Sequence, residues 1–243
     1  CTLGPAVDDE KMIRKLLQNG MDCARFNFSH GTHKEQAERI ARVRGVSTEL
    51  GVPVALLLDT KGPEIRLGDF ATGSVILKEG QNFILDTDKE AYGDATHIGI
   101  TYDKLAKSVV QGTRILIDDG KIALKVSQIK GTKVVCSVVN GGKVSNHKSI
   151  NVPNVSIPMP YLSPVDKEDI LFGIEQKFDY IAASFVRCAD DVRRLRKFLR
   201  DNGGEGMRII SKIENGEGVR NRDEIIVESD GIMVARGDLG VEI

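Results

Sequence analysis

Hydrophobic positions divide the chain into three stretches of different period. From Asp8 to Asn19, Met12, Ile13, Leu16 and Leu17 recur at helical spacing, with Gly20 placed to stop the helix. Asp22 to Phe28 predicts a strand ending in polar residues, in which Phe26 and Phe28 alternate away from Arg25, Asn27 and Ser29 and so face the core. Thr32-His33-Lys34-Glu35 has the form of a capping box, in which hydroxyl and carboxylate each satisfy an orphan N–H at a helix start. That helix is predicted to reach Leu50, with Ala37, Ile40 and Ala41 inward and Gly51 ending it. Val54 to Leu58 is an unbroken apolar run, the mark of a strand covered on both faces. Strand, helix, strand in this order predicts parallel pairing with right-handed crossovers.

The texture then changes. From about Asp69 to Ile157 the apolar runs are short: Ser74–Leu77, Phe83–Leu85, Arg114–Ile117, Ile122–Val126 and Val134–Val139. Glycines punctuate them, and Ile122, Leu124 and Val126 alternate as in half-buried antiparallel strands. Only Tyr102 to Val110 has the makings of a short helix. Residues 69–157 are therefore predicted to form an inserted small all-β barrel domain, left through the prolines at Pro153, Pro158 and Pro160.

The α/β rhythm resumes over 158–243. Ser163-Pro164 supplies an N-cap and a first-turn proline to a helix through Ile170, Leu171 and Ile174. Tyr180 to Phe185 is a strand, and Asp190 to Arg200 a helix with Val192, Leu195 and Leu199 inward. A strand carrying Lys212, a short helix near Gly218 to Ile226 and a strand leading to Arg236 and Asp238 follow. This beat, together with 1–68, predicts an α/β fold of the (β/α)8 TIM-barrel type, incomplete here with about six strands. A doubly wound sheet is the alternative, but no G-x-G-x-x-G follows the first strand.

With 41% hydrophobic and 28% charged residues the chain can fill a core, and a net charge of −1 gives no global attraction to nucleic acid or membrane. Cys1, Cys23, Cys136 and Cys188 lack any CxxC spacing and read as reduced thiols of a cytoplasmic protein. No apolar run approaches the ~20 residues of a membrane span. The chain opens on Cys1 and stops soon after a strand, which reads as a piece of a longer protein.

Charged groups gather at the predicted strand ends. On a strand, Lys212 and Glu214 share a face about 7 Å apart. Arg236 with Asp238, and Arg25 with Asn27, repeat the design. One such pair alone is better read as a strand-end ion pair. Three pairs together with Asp59-Thr60-Lys61-Gly62-Pro63-Glu64-Ile65-Arg66 point to one site that holds an anion and a metal. Magnesium takes one or two protein carboxylates, here Glu214 and Asp238, and completes its shell with water and substrate oxygens. Lys212, Arg236, Arg25 and Arg66 supply cations for the remaining oxygens of an acidic substrate. His30 and His33 have no spacing partner and read as plain loop histidines. These residues imply a metal-dependent enzyme acting on a small, doubly anionic substrate at a barrel mouth, which the β domain can cover.

Eight segments resemble the pyruvate kinase family: Cys1-Thr2-Leu3-Gly4-Pro5, Ala24-Arg25-Phe26-Asn27-Phe28-Ser29-His30-Gly31, Leu58 through Arg66, Ile117-Asp118-Asp119-Gly120, Ile150-Asn151-Val152-Pro153, Ser184-Phe185-Val186-Arg187, Ser211-Lys212-Ile213-Glu214-Asn215 and Met233 through Gly240. The resemblance implies phosphoryl transfer from phosphoenolpyruvate to ADP, the last step of glycolysis. It implies Glu214 and Asp238 as ligands of Mg2+ (or Mn2+), Lys212 and Arg25 at the transferring phosphoryl group, and Ala235, Arg236, Gly237 and Asp238 around the substrate. Asn27, Ser29, Asp59 and Thr60 match the family's K+ cage, and a glutamate at the position of Glu64 accompanies the need for that ion. Arg66 and Lys148, with Asn27 and His30, match the nucleotide site, although Ser149 departs from a common glycine. The insertion corresponds to the family's lid.

The resemblance further implies a cytoplasmic homotetrameric parent with no nucleic-acid or membrane partner. It implies two more barrel strands beyond Ile243, one carrying a proton-donating threonine, and a C-terminal domain. The 243-residue chain alone is accordingly expected to be inactive. A metal-dependent barrel lyase acting on pyruvate or its enol, and a catalytically incomplete fragment, remain as alternatives; the lyase should lack both lid and potassium set.

Overall fold

A computed structural model describes residues 1–88 and 92–243. Backbone contacts group the chain into two units, one of Cys1–Pro63, Pro160–Ile213 and Gly218–Val234, the other of Glu64–Met159, Glu214–Glu217 and Ala235–Ile243.

The first unit is built on β1 (Thr2–Leu3), β2 (Cys23–Asn27), β3 (Ala55–Asp59), β4 (Tyr180–Ala183), β5 (Arg208–Ile213) and β6 (Gly231–Val234). They lie side by side in chain order, every neighbouring pair parallel. A doubly wound sheet would reverse its order at a switch point, so this sequence of neighbours is that of a (β/α) barrel. All six strands therefore end at the same edge of the sheet.

Helices α1 (Glu10–Gln18), α2 (His33–Leu50), α3 (Pro164–Glu175) and α4 (Ala189–Asp201) supply the crossovers. Local sequence sets their ends. The Asp9 carboxylate caps α1, Thr32 with Glu35 forms the reciprocal box on α2, and Ser163 with Asp166 does the same on α3. Gly51 closes α2 at φ 64°, a left-handed conformation that suits glycine.

Two expectations need correction. Helix α2 buries Gln36, Ile40, Val43 and Val46, while Ala41 is exposed, because consecutive residues on a helix point about 100° apart. The single helix expected near Gly218–Ile226 is two, Gly216–Arg220 and Arg222–Glu228; at their junction the Asn221 amide donates to the Arg187 carbonyl. The core between sheet and helices contains Ile13, Phe26, Ile40 and Leu58, and Phe26 meets Phe178 edge-on at 5.4 Å.

In the second unit seven strands pair in the order Ile65–Arg66, Ser149–Asn151, Arg114–Ile117, Ile122–Lys130, Lys133–Asn140, Asn82–Asp86 and His97–Gly99. The last returns to the first: Leu67 bridges Ile100, Gly68 N donates to Gly99 O at 2.8 Å, and Thr101 N donates to Arg66 O at 2.9 Å. Closure removes the exposed edges that an open sheet would present. Ser74–Leu77 and Gly142–Ser145 form a separate antiparallel pair, and Leu105–Ser108 is a single helical turn. The sheet takes in Ile65–Arg66, upstream of the change of texture at Asp69.

Cys136 lies inside this barrel with no solvent exposure, and burial pushes its thiol up to about 12. Since the thiolate is the nucleophile, Cys136 is expected to resist alkylation by iodoacetamide under native conditions while exposed Cys1 reacts. Peptide mapping by mass spectrometry checks this; native labelling of Cys136 would mean that the barrel is open. Among the described residues no helix is long and apolar enough to cross a membrane.

Candidate functional site

Parallel register gathers the first group of predicted residues. Asn27 pairs opposite Asp59, Asp59 opposite Ala182, and Arg25 opposite Leu57. Side chains alternate, so Arg25, Asn27, Asp59, Ala182, Ser184 and Lys212 fall on one face. Ala182, between Asp59 and the β5 row, has only a methyl group there, and Lys212 crosses it. Its Nζ donates to Asp59 Oδ1 at 3.0 Å and to Ser184 Oγ at 2.9 Å. From the other side Arg25 Nε donates to Asp59 Oδ2 at 2.5 Å, with NH2 forming a further ion-pair contact, and Arg25 NH1 donates to Thr2 Oγ1 at 2.8 Å.

Asp59 and Lys212 are only 1% and 7% exposed. A buried charge costs several kcal/mol unless paired, so each stabilises the other's presence, and Asp59 collects two cations at one point. The family resemblance places Asp59 only in the cation cage and gives Ser184 no role. The alternation running from Ala182 to Ser184 was the signal available for the latter.

Oxygen donors surround this group. Asn27 Oδ1 accepts from Ser29 N at 3.0 Å. Thr60 is buried, its hydroxyl accepting from Ser184 N at 3.1 Å and its carbonyl accepting from Ser184 Oγ at 2.6 Å. Carbonyl, carboxylate, amide and hydroxyl oxygens at the ends of β2 and β3 are a donor set suited to a hard monovalent cation. His30 is exposed beyond β2, its carbonyl accepting from Gln36 Nε2 at 3.0 Å. His33 is no loop histidine. It is the first residue of α2, stacks on Phe172 at 4.5 Å and places Nε2 2.6 Å from Asp169 Oδ1, because α3 supplies both partners.

In the second unit Arg66 lies opposite Ser149. Its Nε donates to Glu64 at 2.5 Å and its NH1 to the His147 carbonyl at 2.9 Å. Lys148 Nζ lies 2.9 Å from Asp118 Oδ1 and Lys121 Nζ 3.0 Å from Oδ2. The bond from Lys148, aided by Lys121, holds the Asp118 carboxyl below its ordinary value against the opposing effect of burial. Asp118 and Asp119 take left-handed backbone at φ 53° and 56° in the turn between two strands. Arg66 and Lys148 thus come to adjacent strands, each with a resident carboxylate.

Glu214 directly follows β5 and is fully buried. Register aligns Ile213 with Val234, so Ala235 leaves the sheet beside Glu214's strand. Here the structure corrects the sequence pattern: the chain from Arg236 to Glu242 is helical, and residues two apart on a helix do not share a face. Arg236, Gly237 and Asp238 lie exposed in its first turn, with Ala235 as N-cap. Asn151 donates to the Glu242 carboxylate at 2.8 Å, and burial pushes that carboxyl up. Among the described residues no group of three or more His, Cys, Asp or Glu side chains is arranged to hold a metal. Two carboxylates after adjacent strands, Glu214 and Asp238, fit the one or two that Mg2+ takes.

The profile of the pyruvate kinase barrel domain matches residues 1–243. The chain belongs to the pyruvate kinase family. A pyruvate kinase of Clostridium acetobutylicum is 51% identical over 242 residues, which is 100% of this chain and 51% of the relative. That of Clostridium perfringens is 44% identical with the same coverage, and that of Geobacillus stearothermophilus is 46% identical over 245 residues, covering 100% of this chain and 42% of the relative. The chain spans about half the length of the curated pyruvate kinases it matches. Family membership agrees with the sequential parallel sheet and with the incomplete TIM-type barrel expected from the sequence. The pyruvate kinase segment Asp59–Arg66 divides between the units after Pro63.

Proposed function

We propose that this chain forms the barrel and lid of an enzyme that transfers a phosphoryl group from phosphoenolpyruvate to ADP. The observation that carries the reading is the convergence of Arg25 and Lys212 on Asp59 at neighbouring ends of parallel strands in barrel order. Two fixed cations suit a substrate with phosphate and carboxylate groups.

An oxygen of the ADP β-phosphate attacks phosphorus, the bond to the enol oxygen breaks, and the enolate takes a proton to give pyruvate. Such transfers need positioning and charge stabilisation more than covalent help. Arg25 binds the phosphoryl group. Lys212 meets negative charge on that group and on the enol oxygen as the bond breaks. Backbone N–H groups of Ala235, Arg236 and Gly237 receive the substrate carboxylate, beside Asp238. Arg66 and Lys148 bind the nucleotide phosphates, and on the resemblance Asn27 and His30 are nucleotide-binding residues as well.

Glu214 and Asp238 are the residues that would hold Mg2+ or Mn2+, which when bound neutralises charge shared between the substrates. Asn27, Ser29, Asp59 and Thr60 would hold K+. On the resemblance, the β domain 69–157, inserted in sequence between the barrel parts 1–68 and 158–243, corresponds to the family's lid. On the resemblance, the complete protein is a cytoplasmic homotetramer.

A coupled assay on the complete polypeptide tests the reading. ATP and pyruvate are expected in equal amounts from phosphoenolpyruvate and ADP, with Mg2+ and K+ present. Pyruvate without ATP, or a cleavage product, would favour a lyase instead. Glu64→Lys is expected to relax the K+ requirement, since a built-in ammonium can supply the ion's charge. The same substitution removes the partner of Arg66 Nε and sets a like charge near it, so the KM for ADP is expected to rise several-fold. Rates in buffer free of K+ and Na+ check this; an unchanged K+ requirement would remove Glu64 from the argument.

A further inference from the structure

The Ser184 hydroxyl makes contacts that none of the roles above uses. Its Oγ accepts from Lys212 Nζ at 2.9 Å and lies 2.6 Å from the Thr60 carbonyl and 3.1 Å from Asp59 Oδ1. A hydroxyl has one proton to give. Asp59 Oδ1 already accepts from Lys212, and the Thr60 carbonyl is nearer, so the proton goes to Thr60. That choice turns a lone pair of Ser184 toward the ammonium. At 2% exposure the residue is shielded from water that would otherwise compete for the same bonds.

The backbone is arranged around this hydroxyl. Ser184 N donates to Thr60 Oγ1 at 3.1 Å, and Tyr161 Oη donates to the Ser184 carbonyl at 3.1 Å. Gly62 approaches so closely that a Cβ there would sit 2.9 Å from Ser184 Cβ. The next residue, Phe185, takes left-handed backbone at φ 54°, which is unfavourable for a bulky L-residue. Strain of this kind persists where the surroundings over-determine it, and it concentrates at functional sites.

We propose that Ser184 is the positioning residue of Lys212: its hydroxyl, oriented by the Thr60 carbonyl, fixes the ammonium beside Asp59 and aims it at the transferring phosphoryl group. The inference rests on the phosphoryl-transfer reading above. A lysine ends in a point charge on a flexible four-carbon stem, so a single acceptor leaves it free to swing. Acceptors at two neighbouring strand ends, Asp59 on β3 and Ser184 just past β4, narrow that freedom. Displacement of a catalytic group by 1 Å can cost on the order of a hundredfold in rate.

The test is a double-mutant cycle in the complete protein. Ser184→Ala is expected to lower kcat about 10- to 100-fold, with the KM for phosphoenolpyruvate within about twofold and the thermal midpoint close to that of the parent. In a Lys212→Met background the same substitution is expected to change the residual kcat by less than about twofold, because a residue acting through Lys212 has nothing left to position. Should Ser184→Ala fold poorly, Ser184→Cys keeps a side chain of similar shape with a weaker acceptor and is expected to lose kcat to a smaller degree. Unchanged kcat in a well-folded variant, or an equal fold-loss in both backgrounds, overturns the positioning role and leaves the phosphoryl-transfer reading intact. Near-parental turnover of Lys212→Met alone overturns both.

Discussion

Lys212→Met in the complete enzyme is expected to lower kcat by about a thousandfold or more while phosphoenolpyruvate still binds. The substitution keeps most of the aliphatic stem and removes the ammonium, which is 7% exposed and held between Asp59 and Ser184. A charge fixed in a water-poor site loses little to reorganisation when negative charge develops opposite it, which is why such groups act mainly in the transition state. On the proposed reading Arg25 and the Ala235–Gly237 backbone also hold the substrate, so affinity is expected to fall far less than turnover. Steady-state rates beside an equilibrium titration of phosphoenolpyruvate separate the two quantities. Equal losses in both would make Lys212 a binding residue only.

Asp59→Ala is expected to lower stability by about 3 kcal/mol and to reduce kcat at least a hundredfold. The carboxylate is 1% exposed and accepts from Arg25 and Lys212, so truncation leaves a buried ammonium short of its counter-charge. Arg25 is about a third exposed and recovers part of its loss through water, which keeps the cost nearer the lower end for a broken buried pair. Asp59→Asn separates charge from shape, because the amide keeps one acceptor of similar size. Its stability is expected to fall between the parent and the alanine variant. Urea unfolding curves and kcat for all three proteins check this. If Asp59→Ala unfolds at the parental midpoint, Asp59 does not hold the two cations.

Elements whose limits are fixed by short-range chemistry were legible in the sequence. The Thr32 capping box, the Ser163 N-cap, Gly51 as the end of α2 and the strands Ser74–Leu77 and Arg114–Ile117 were all legible in the residues themselves. Errors came where a neighbour in space decides the outcome. Ala41 has helical spacing to other apolar positions, but the sheet lies against the Ile40–Val43 side of α2, so Ala41 faces water. Arg236 and Asp238 look like a strand-end pair until the chain turns into a helix directly after Ala235. His33 meets Phe28 nearby in the sequence, but its stacking ring and its carboxylate partner come from α3, more than a hundred residues away.

By itself the sequence determined the period of each element, the order of strands and helices and the residue types at the strand ends, because these depend on side chains a few positions apart. It also carried the segments that place the chain in its family. Only the tertiary structure decided which strand-end groups meet. Parallel register set Asp59 opposite Ala182, and the small side chain there let Lys212 reach across to Asp59 and Ser184. The return of His97–Gly99 toward Ile65–Arg66 closed the small barrel by backbone hydrogen bonds that no side-chain pattern encodes. The physical reason is the same in each case: alternation along a strand fixes which face a residue takes, whereas its partner on that face is set by the register between strands, a long-range quantity.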